Sequence, residues 1–581
     1  MTDYLLLYGH VFCKSCDINT SDMKKIISAV AIVSITFTAC DNMSGFFKNE
    51  SAHNAADSTS ANMASLVVRD VSITPANAYS DLFLDSTVME QYIQQQQVPD
   101  TVARDLRNFY NTRNYQFAWF TTQGVTEQGR NFWNLYEATI DNKNYKLDTA
   151  LNRRLDTLLA EDTLNVSAAD SNFIRTEIAL TKEFIHYAKT NGNTEWRYMV
   201  PIKKIDALQL ADSISNNMDT ARFAGNRPYM QMREQIRRYY QIAQQGGWQP
   251  ITLETKRITK GASSPSITHL KKRLQLTGDY TANDTTSLFN DSLEVAIRSV
   301  QDRFGFQPTG IITDTLVNAL NVPVEQRIQQ LLVNINRMAW MPVKQYNHFI
   351  EVNVPAYMLQ VYENNTKAFD MEVVVGKEGS STMMFTDSLD QIVFNPNWNI
   401  PQSIVQSEIL PAMQKDPNYL KKNNMEIIGN NDSIPQIRQL PGKGNPLGRI
   451  KFLFPNSYEI YFHDSPTKEL FAKDKRAFSH GCIRLADATK MAQYLLKGQA
   501  GWTPEKIQQA MNSNKEQTVK LQKPVPVLIN YYTAWVDDKG RVNFREDIYR
   551  HDMATAARMF TNGTTSSVNN TSNTFDTTRR I

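Results

Sequence analysis

Ala477-Phe-Ser-His-Gly-Cys-Ile-Arg-Leu485 sets an imidazole, a glycine amide and a thiol side by side, at His480, Gly481 and Cys482. Upstream, Tyr461-Phe-His-Asp-Ser-Pro466 places a second histidine, His463, seventeen positions before His480. A cysteine reacts as its thiolate and needs a base or a positive field to reach that state near neutral pH. Backbone amides beside the sulfur are suited to stabilising an oxyanion. A lone cysteine is more often a small buried hydrophobe. One held between Gly481 and Ile483 in a histidine-bearing loop reads instead as a nucleophile. A zinc site built from His463, His480 and Cys482 lacks an obvious fourth ligand, and His-x-Cys is not a usual zinc spacing. No metal and no organic cofactor are expected.

The pattern works outward from there. From Phe349 the periodicity changes from helical to strand-like. Residues 349–362 read as one arm of a hairpin that turns at Glu363-Asn-Asn365 and returns over 368–376. Strands follow at 450–454 and 458–462, joined by Pro455-Asn-Ser457, so that His463 follows a rigid element. A helix capped by Asp487 and closed by Gly498 comes after the cysteine, and 525–532 adds a final strand.

The order His463, about sixteen residues, Ser479-His-Gly-Cys482, an apolar residue and Arg484 resembles the signature of the L,D-transpeptidases, cysteine enzymes that cross-link bacterial peptidoglycan. The resemblance covers 347–549 and implies a mainly β catalytic domain. It makes Cys482 the nucleophile and His463 the base, oriented by the backbone carbonyl of Asp464. His480 and Gly481 shape the loop and, with the Cys482 amide, form the oxyanion hole; a purely structural role for His480 stays open. Tyr461, Arg484, Trp398 and Ser479 are the candidate substrate-binding residues. Asn395-Pro-Asn-Trp398 leads into an interruption at 401–441, where large family members carry a cap. A long insertion of this kind suits a lid.

Ahead of this domain, 79–255 is helical in pattern and rich in aromatic residues, read as core packing. Its Phe117-Ala-Trp-Phe120 and Gly246-Gly-Trp248 resemble the family's helical scaffold domain. Residues 262–325 carry apolar stripes at helical spacing, with Thr313 as the cap of a third helix. Leu-Lys-Lys-Arg-Leu274 and Val-Gln-Asp-Arg-Phe-Gly-Phe306 resemble a peptidoglycan-binding-like three-helix module. The fold class is thus multidomain α+β: helical scaffold, small helical module, then the β catalytic domain with its inserted cap.

Cysteine usage agrees with an extracytoplasmic enzyme. Of four cysteines, Cys13, Cys16, Cys40 and Cys482, the third ends a lipoprotein-like signal. Met23-Lys-Lys opens it, an apolar run follows, and Thr38-Ala-Cys40 closes it. Residues 1–22 then read as a misassigned N-terminal extension, 23–40 as a signal peptide, and 41–78 as a disordered tether from a lipid on Cys40. Residues 550–581 read as a mostly disordered tail. The formal net charge of +3 lacks the basic excess of a nucleic-acid binder.

The reaction the resemblance implies is acyl transfer. Cys482 takes the acyl group of a tetrapeptide stem and an amine of a neighbouring stem resolves it, in cell-wall biogenesis and shape. The expected partners are peptidoglycan stems, the membrane through the lipid anchor, and other cell-wall synthesis proteins. The expected location is the periplasmic side of the envelope, and the cysteine is a carbapenem target. Alternatives stay open: the same site used for L,D-carboxypeptidase action, D-amino-acid exchange or lipoprotein attachment, or a non-catalytic peptidoglycan-anchoring lipoprotein.

Overall fold

The computed structural model describes residues 66–140, 148–159, 164–190, 199–216, 226–340, 346–364, 366–431, 434–513 and 515–561. The extension, the signal with Cys40, the tether up to residue 65 and the tail beyond 561 lie outside the described residues. Among the described residues no helix is long and apolar enough to cross a membrane.

The catalytic region is built on one nine-stranded sheet. We number its strands β1 His348–Asn353, β2 Met358–Glu363, β3 Thr366–Gly376, β4 Phe385–Phe394, β5 Ile450–Leu453, β6 Phe462–His463, β7 Ala477–Ser479, β8 Ile483–Leu485 and β9 Gln517–Asn530. Their order is β7-β3-β8-β6-β5-β4-β9-β1-β2, and β2 also pairs with β3, so the sheet closes on itself. Alternate residues such as Ile350, Val373, Ile392, Phe452, Phe462 and Ile483 are buried in its core.

Two strand readings are corrected. The arm read over 349–362 is two antiparallel strands, because Val354-Pro-Ala356 forms a 3-10 turn and Tyr357 adopts φ 53°. Proline lacks the N–H that an unbroken strand would need. The strand expected over 458–462 begins only at Phe462. Before it, the Asn456 side chain accepts from the amides of Tyr458 and Ile460 and donates to the carbonyls of Phe454 and Ile460. An asparagine that satisfies the backbone in this way replaces ladder bonds with a tight turn.

The helical regions each have their own core. In the first, Glu177 accepts from the amides of Ala118 and Trp119, beside the packed rings of Trp119, Phe132 and Phe184. The small module holds helices Pro265–Leu276, Asp291–Arg303 and Asp314–Leu320, and Thr313 does cap the third. The polar start of the described chain is pinned rather than loose. The Val67 amide donates to Asn108, the Asp70 amide to the Asn111 carbonyl, and Ile73 is fully buried.

One helix was missed in the sequence. Val324–Ala339 runs between the module and the catalytic region, and it buries Arg337. That guanidinium binds Glu127 (Nη2 to Oε2, 2.9 Å) and Asp552. Asp552 lies on helix His551–Met559, in a stretch read as tail. The polar sequence misled because these polar groups are satisfied internally: Thr555 also donates to Glu127, at 2.7 Å. Removing one partner from a buried ionic network typically costs ~3–5 kcal/mol, since it strands the opposing charges. Arg337→Met is therefore expected to lower the thermal midpoint sharply in differential scanning calorimetry. Lys475→Ala, which breaks an exposed pair with Glu546, should be near neutral.

Candidate active site

Register places the chemistry. Lys451 on β5, His463 on β6 and Arg484 on β8 are paired in sequence across three adjacent strands, forming one row. Residues in register share a face, and their strand neighbours Phe452, Phe462, Ile483 and Leu485 turn to the core instead. Tyr461, just ahead of β6, joins this row by contact: its ring lies 3.7 Å from Lys451 Nζ and 5.9 Å from the His463 ring, and it hydrogen-bonds Cys482, just ahead of β8.

His463 is 4% exposed. Its Nδ1 lies 2.6 Å from the Asp464 carbonyl, so Nδ1–H donates there and Nε2 is left as the acceptor. Asp464 is itself fixed. Its amide donates to the Ile450 carbonyl (2.9 Å), and its carboxylate accepts from Lys468 (2.9 Å) and the Arg449 amide (3.1 Å). Burial, reinforced by the charges of Arg484 and Lys451, pushes the His463 pKa down to about 3. The imidazole is therefore neutral at pH 7.

Cys482 is half-buried. Burial raises its thiol pKa, while hydrogen bonds from Tyr461 and the charge of Lys451 pull it back. The thiol donates to the Glu459 carbonyl at 3.7 Å, and Glu459 sits at φ 54°, a left-handed conformation held by the Asn456 turn. The resting pair is thus a neutral thiol and a neutral imidazole. Burial and the neighbouring sulfur keep the Tyr461 hydroxyl protonated and able to donate.

The cysteine loop is braced from within and below. The Ser479 hydroxyl donates to the Cys482 carbonyl (2.5 Å) and accepts from the Gly481 amide (3.2 Å), and Ser479 is 2% exposed. Both groups are engaged inside the loop, so the fold gives Ser479 a bracing contact in place of the expected substrate contact, and the Gly481 amide is occupied. Gly481 adopts φ 114°, which favours glycine. Beneath it, a Cβ on Gly376 would lie 2.1 Å from the Ser380 carbonyl oxygen and 3.1 Å from the Gly481 Cα. Thr382 donates to the Gly481 carbonyl (2.7 Å) and accepts from the Gly376 amide (2.9 Å). Tyr549 donates to the Gly376 carbonyl (2.5 Å) and accepts from the Thr382 amide (3.2 Å).

The other expected residues are placed differently. His480 is exposed, and its Nε2 lies 3.7 Å from Glu408 of the insertion. Burial and the charge of Lys377 lower its pKa. Trp398 pairs with Gln439 and packs on the insertion's own small core of Ile400, Ile404, Val405, Ile409 and Ile437. That insertion is more ordered in pattern than an asparagine-rich loop: Met425–Asn431 and Ile434–Gln439 form a hairpin. Arg484 is half-buried, and its Nε is buried with no hydrogen-bond partner. Among the described residues no cluster of His, Cys, Asp or Glu is placed to hold a metal.

Sequence reasoning missed Lys451, Thr382, Tyr549 and Asn456. Strand register reveals Lys451. A signal for Asn456 existed in Pro455-Asn-Ser457. Nothing local marks Thr382 or Tyr549, which are 167 positions apart.

Comparison with known proteins agrees with this architecture. Residues 347–529 match the family model for the L,D-transpeptidase catalytic domain, 104–232 that for a scaffold domain, and 263–320 that described as "Putative peptidoglycan binding domain". A protein of Haemophilus influenzae described as "Putative L,D-transpeptidase" is 32% identical over 240 residues, covering 39% of this chain. The chain spans about half of that relative, 48% of its length. Solved L,D-transpeptidase structures from Xylanimonas cellulosilytica and Stackebrandtia nassauensis are 11% and 12% identical. Each covers 48% of this chain, which in turn covers 100% and 97% of theirs, with TM-scores of 0.15 and 0.21. Those scores are too low to carry an argument, whereas the three family matches fall in order on a helical region, a small helical module and the β region. The chain thus carries, at 347–529, a domain that matches the L,D-transpeptidase catalytic-domain family, with matches to a scaffold domain and a peptidoglycan-binding-type domain ahead of it.

Proposed function

We propose that this protein forms peptidoglycan cross-links through a thioester on Cys482. The row of Lys451, His463 and Arg484, whose two cations act on the Cys482 sulfur, carries this reading. His463 Nε2 takes the thiol proton as Sγ attacks the carbonyl of the third stem residue, diaminopimelate. The Cys482 amide and the Tyr461 hydroxyl are the donors proposed for the resulting oxyanion. Collapse expels D-alanine, whose nitrogen takes the proton from His463. An amine of a second stem then attacks the thioester, His463 accepts its proton, and the thiol is restored. The insertion, in contact with His480 through Glu408, acts as a cap that keeps water from the thioester. A lipid on Cys40 anchors the enzyme at the periplasmic face of an envelope membrane.

Incubation of the purified protein with disaccharide-tetrapeptides tests the reading. Mass spectrometry should reveal dimers linked between two third residues, with release of D-alanine. Tripeptides alone would make it a carboxypeptidase. Exchange of the terminal residue alone would make the acceptor a free D-amino acid. No turnover of any kind would leave the anchoring lipoprotein.

A further inference from the structure

Lys451 and Arg484 occupy unusual positions for cations. They flank a buried imidazole in register, one from each side. Both are half-buried; Glu516 and Glu459 act on Lys451 only through space, without a salt bridge, and no carboxylate acts on Arg484. Lys451 Nζ lies 3.7 Å from the centre of the Tyr461 ring, the same ring that hydrogen-bonds the sulfur. Arg484 leaves its Nε buried and unpaired. Two partly desolvated positive charges beside a base that must become positive work against both folding and proton transfer. A structure that keeps such an arrangement beside a reactive thiol points to a missing counter-charge.

We propose that Lys451 and Arg484 form a clamp for a free carboxylate of the donor stem, across His463. A guanidinium matches a carboxylate with two parallel donors, and an ammonium adds a point charge. The proposal rests on the acyl-transfer reading, in which the scissile carbonyl lies between two carboxylates, that of the terminal D-alanine and that of diaminopimelate. Either supplies the same chemistry. Lys451 is thus a specificity-determining residue as well as a neighbour of the base.

The test uses the whole chain and reads Cys482 by intact mass. In the first arm, iodoacetamide alkylates the thiol in the presence of N-acetyl-D-alanine or its amide. The acid should slow alkylation and the amide should not; Lys451→Met should lose this difference and Lys451→Arg should keep it. In the second arm, tetrapeptides amidated at one carboxylate or the other are compared with the free acid. The wild type should lose roughly 10–100-fold in kcat/KM for one amidated form, as expected for a lost charged hydrogen bond. That form identifies which carboxylate is held. Lys451→Met should be slow on the free acid and lose little more on that amide. Protection by acid and amide alike, or an undiminished acid preference in Lys451→Met, would overturn the clamp. If the wild type shows acid-specific protection yet turns over no tetrapeptide, the clamp stands and the acyl-transfer reading fails.

Discussion

Cys482→Ala is expected to abolish tetrapeptide turnover and to leave no covalent adduct with a carbapenem, a ring-strained acyl donor of the kind a nucleophilic cysteine opens. The expectation is all-or-none because no neighbouring group can replace sulfur. His463 is buried, with its Nδ1–H committed to the Asp464 carbonyl, and the Tyr461 hydroxyl is kept protonated by burial. The substitution removes a half-buried side chain from a loop held by other bonds, those of Ser479, Thr382 and Tyr549. The fold should therefore persist, with an unchanged circular dichroism spectrum. Intact mass spectrometry after carbapenem treatment checks it. An adduct of the same mass on both wild type and the alanine variant would remove Cys482 from the mechanism.

Much of this architecture was legible because its signals are local. The alternation of buried residues in β1 and β5 reports a sheet with one buried face, and Thr313 is a cap that its own tripeptide announces. The carbonyl of Asp464 lies on His463 Nδ1, where the resemblance put it, because a residue beside the histidine needs no long-range information to reach it. What was not legible depends on register and closure. Lys451 is twelve positions from His463 and meets it only through the β5–β6 pairing. The helix Val324–Ala339 lay between two recognised regions and was passed over although its apolar residues recur at helical spacing. Helix His551–Met559 looks like tail because Asp552 and Thr555, two of its buried residues, are polar, and only Glu127 and Arg337, hundreds of residues upstream, explain why they are inside. Ser479, read by motif as facing substrate, is bonded within its own loop, while Trp398 is half-buried and packs in part on the insertion's core.

His463→Gln is expected to slow Cys482 acylation at pH 7 by ~10²–10⁴-fold, the usual contribution of a general base. Glutamine is the informative replacement because its side-chain amide can still donate to the Asp464 carbonyl, leaving the loop geometry while removing the proton acceptor. Without the base, attack depends on the fraction of thiolate. The variant's rate should then climb about tenfold per pH unit toward the raised thiol pKa, and the gap to the wild type should close at alkaline pH. In the wild type the base is already neutral far below pH 7, so no acid limb is expected near the ordinary histidine pKa of about 6.5. Stability carries the same signature. The folded imidazole refuses a proton that the unfolded chain accepts below about pH 6.5, so between there and about pH 3 the wild type loses stability as pH falls. The slope due to this group approaches ~1.4 kcal/mol per pH unit, and it should be missing from the glutamine variant. His480→Gln should leave the rate near pH 7 nearly unchanged, since that ring is exposed and turned toward Glu408. Stopped-flow acylation from pH 5 to 10, with urea denaturation from pH 4 to 7, measures all of this. A His480 variant that fails while His463→Gln stays active would exchange the roles of the two histidines.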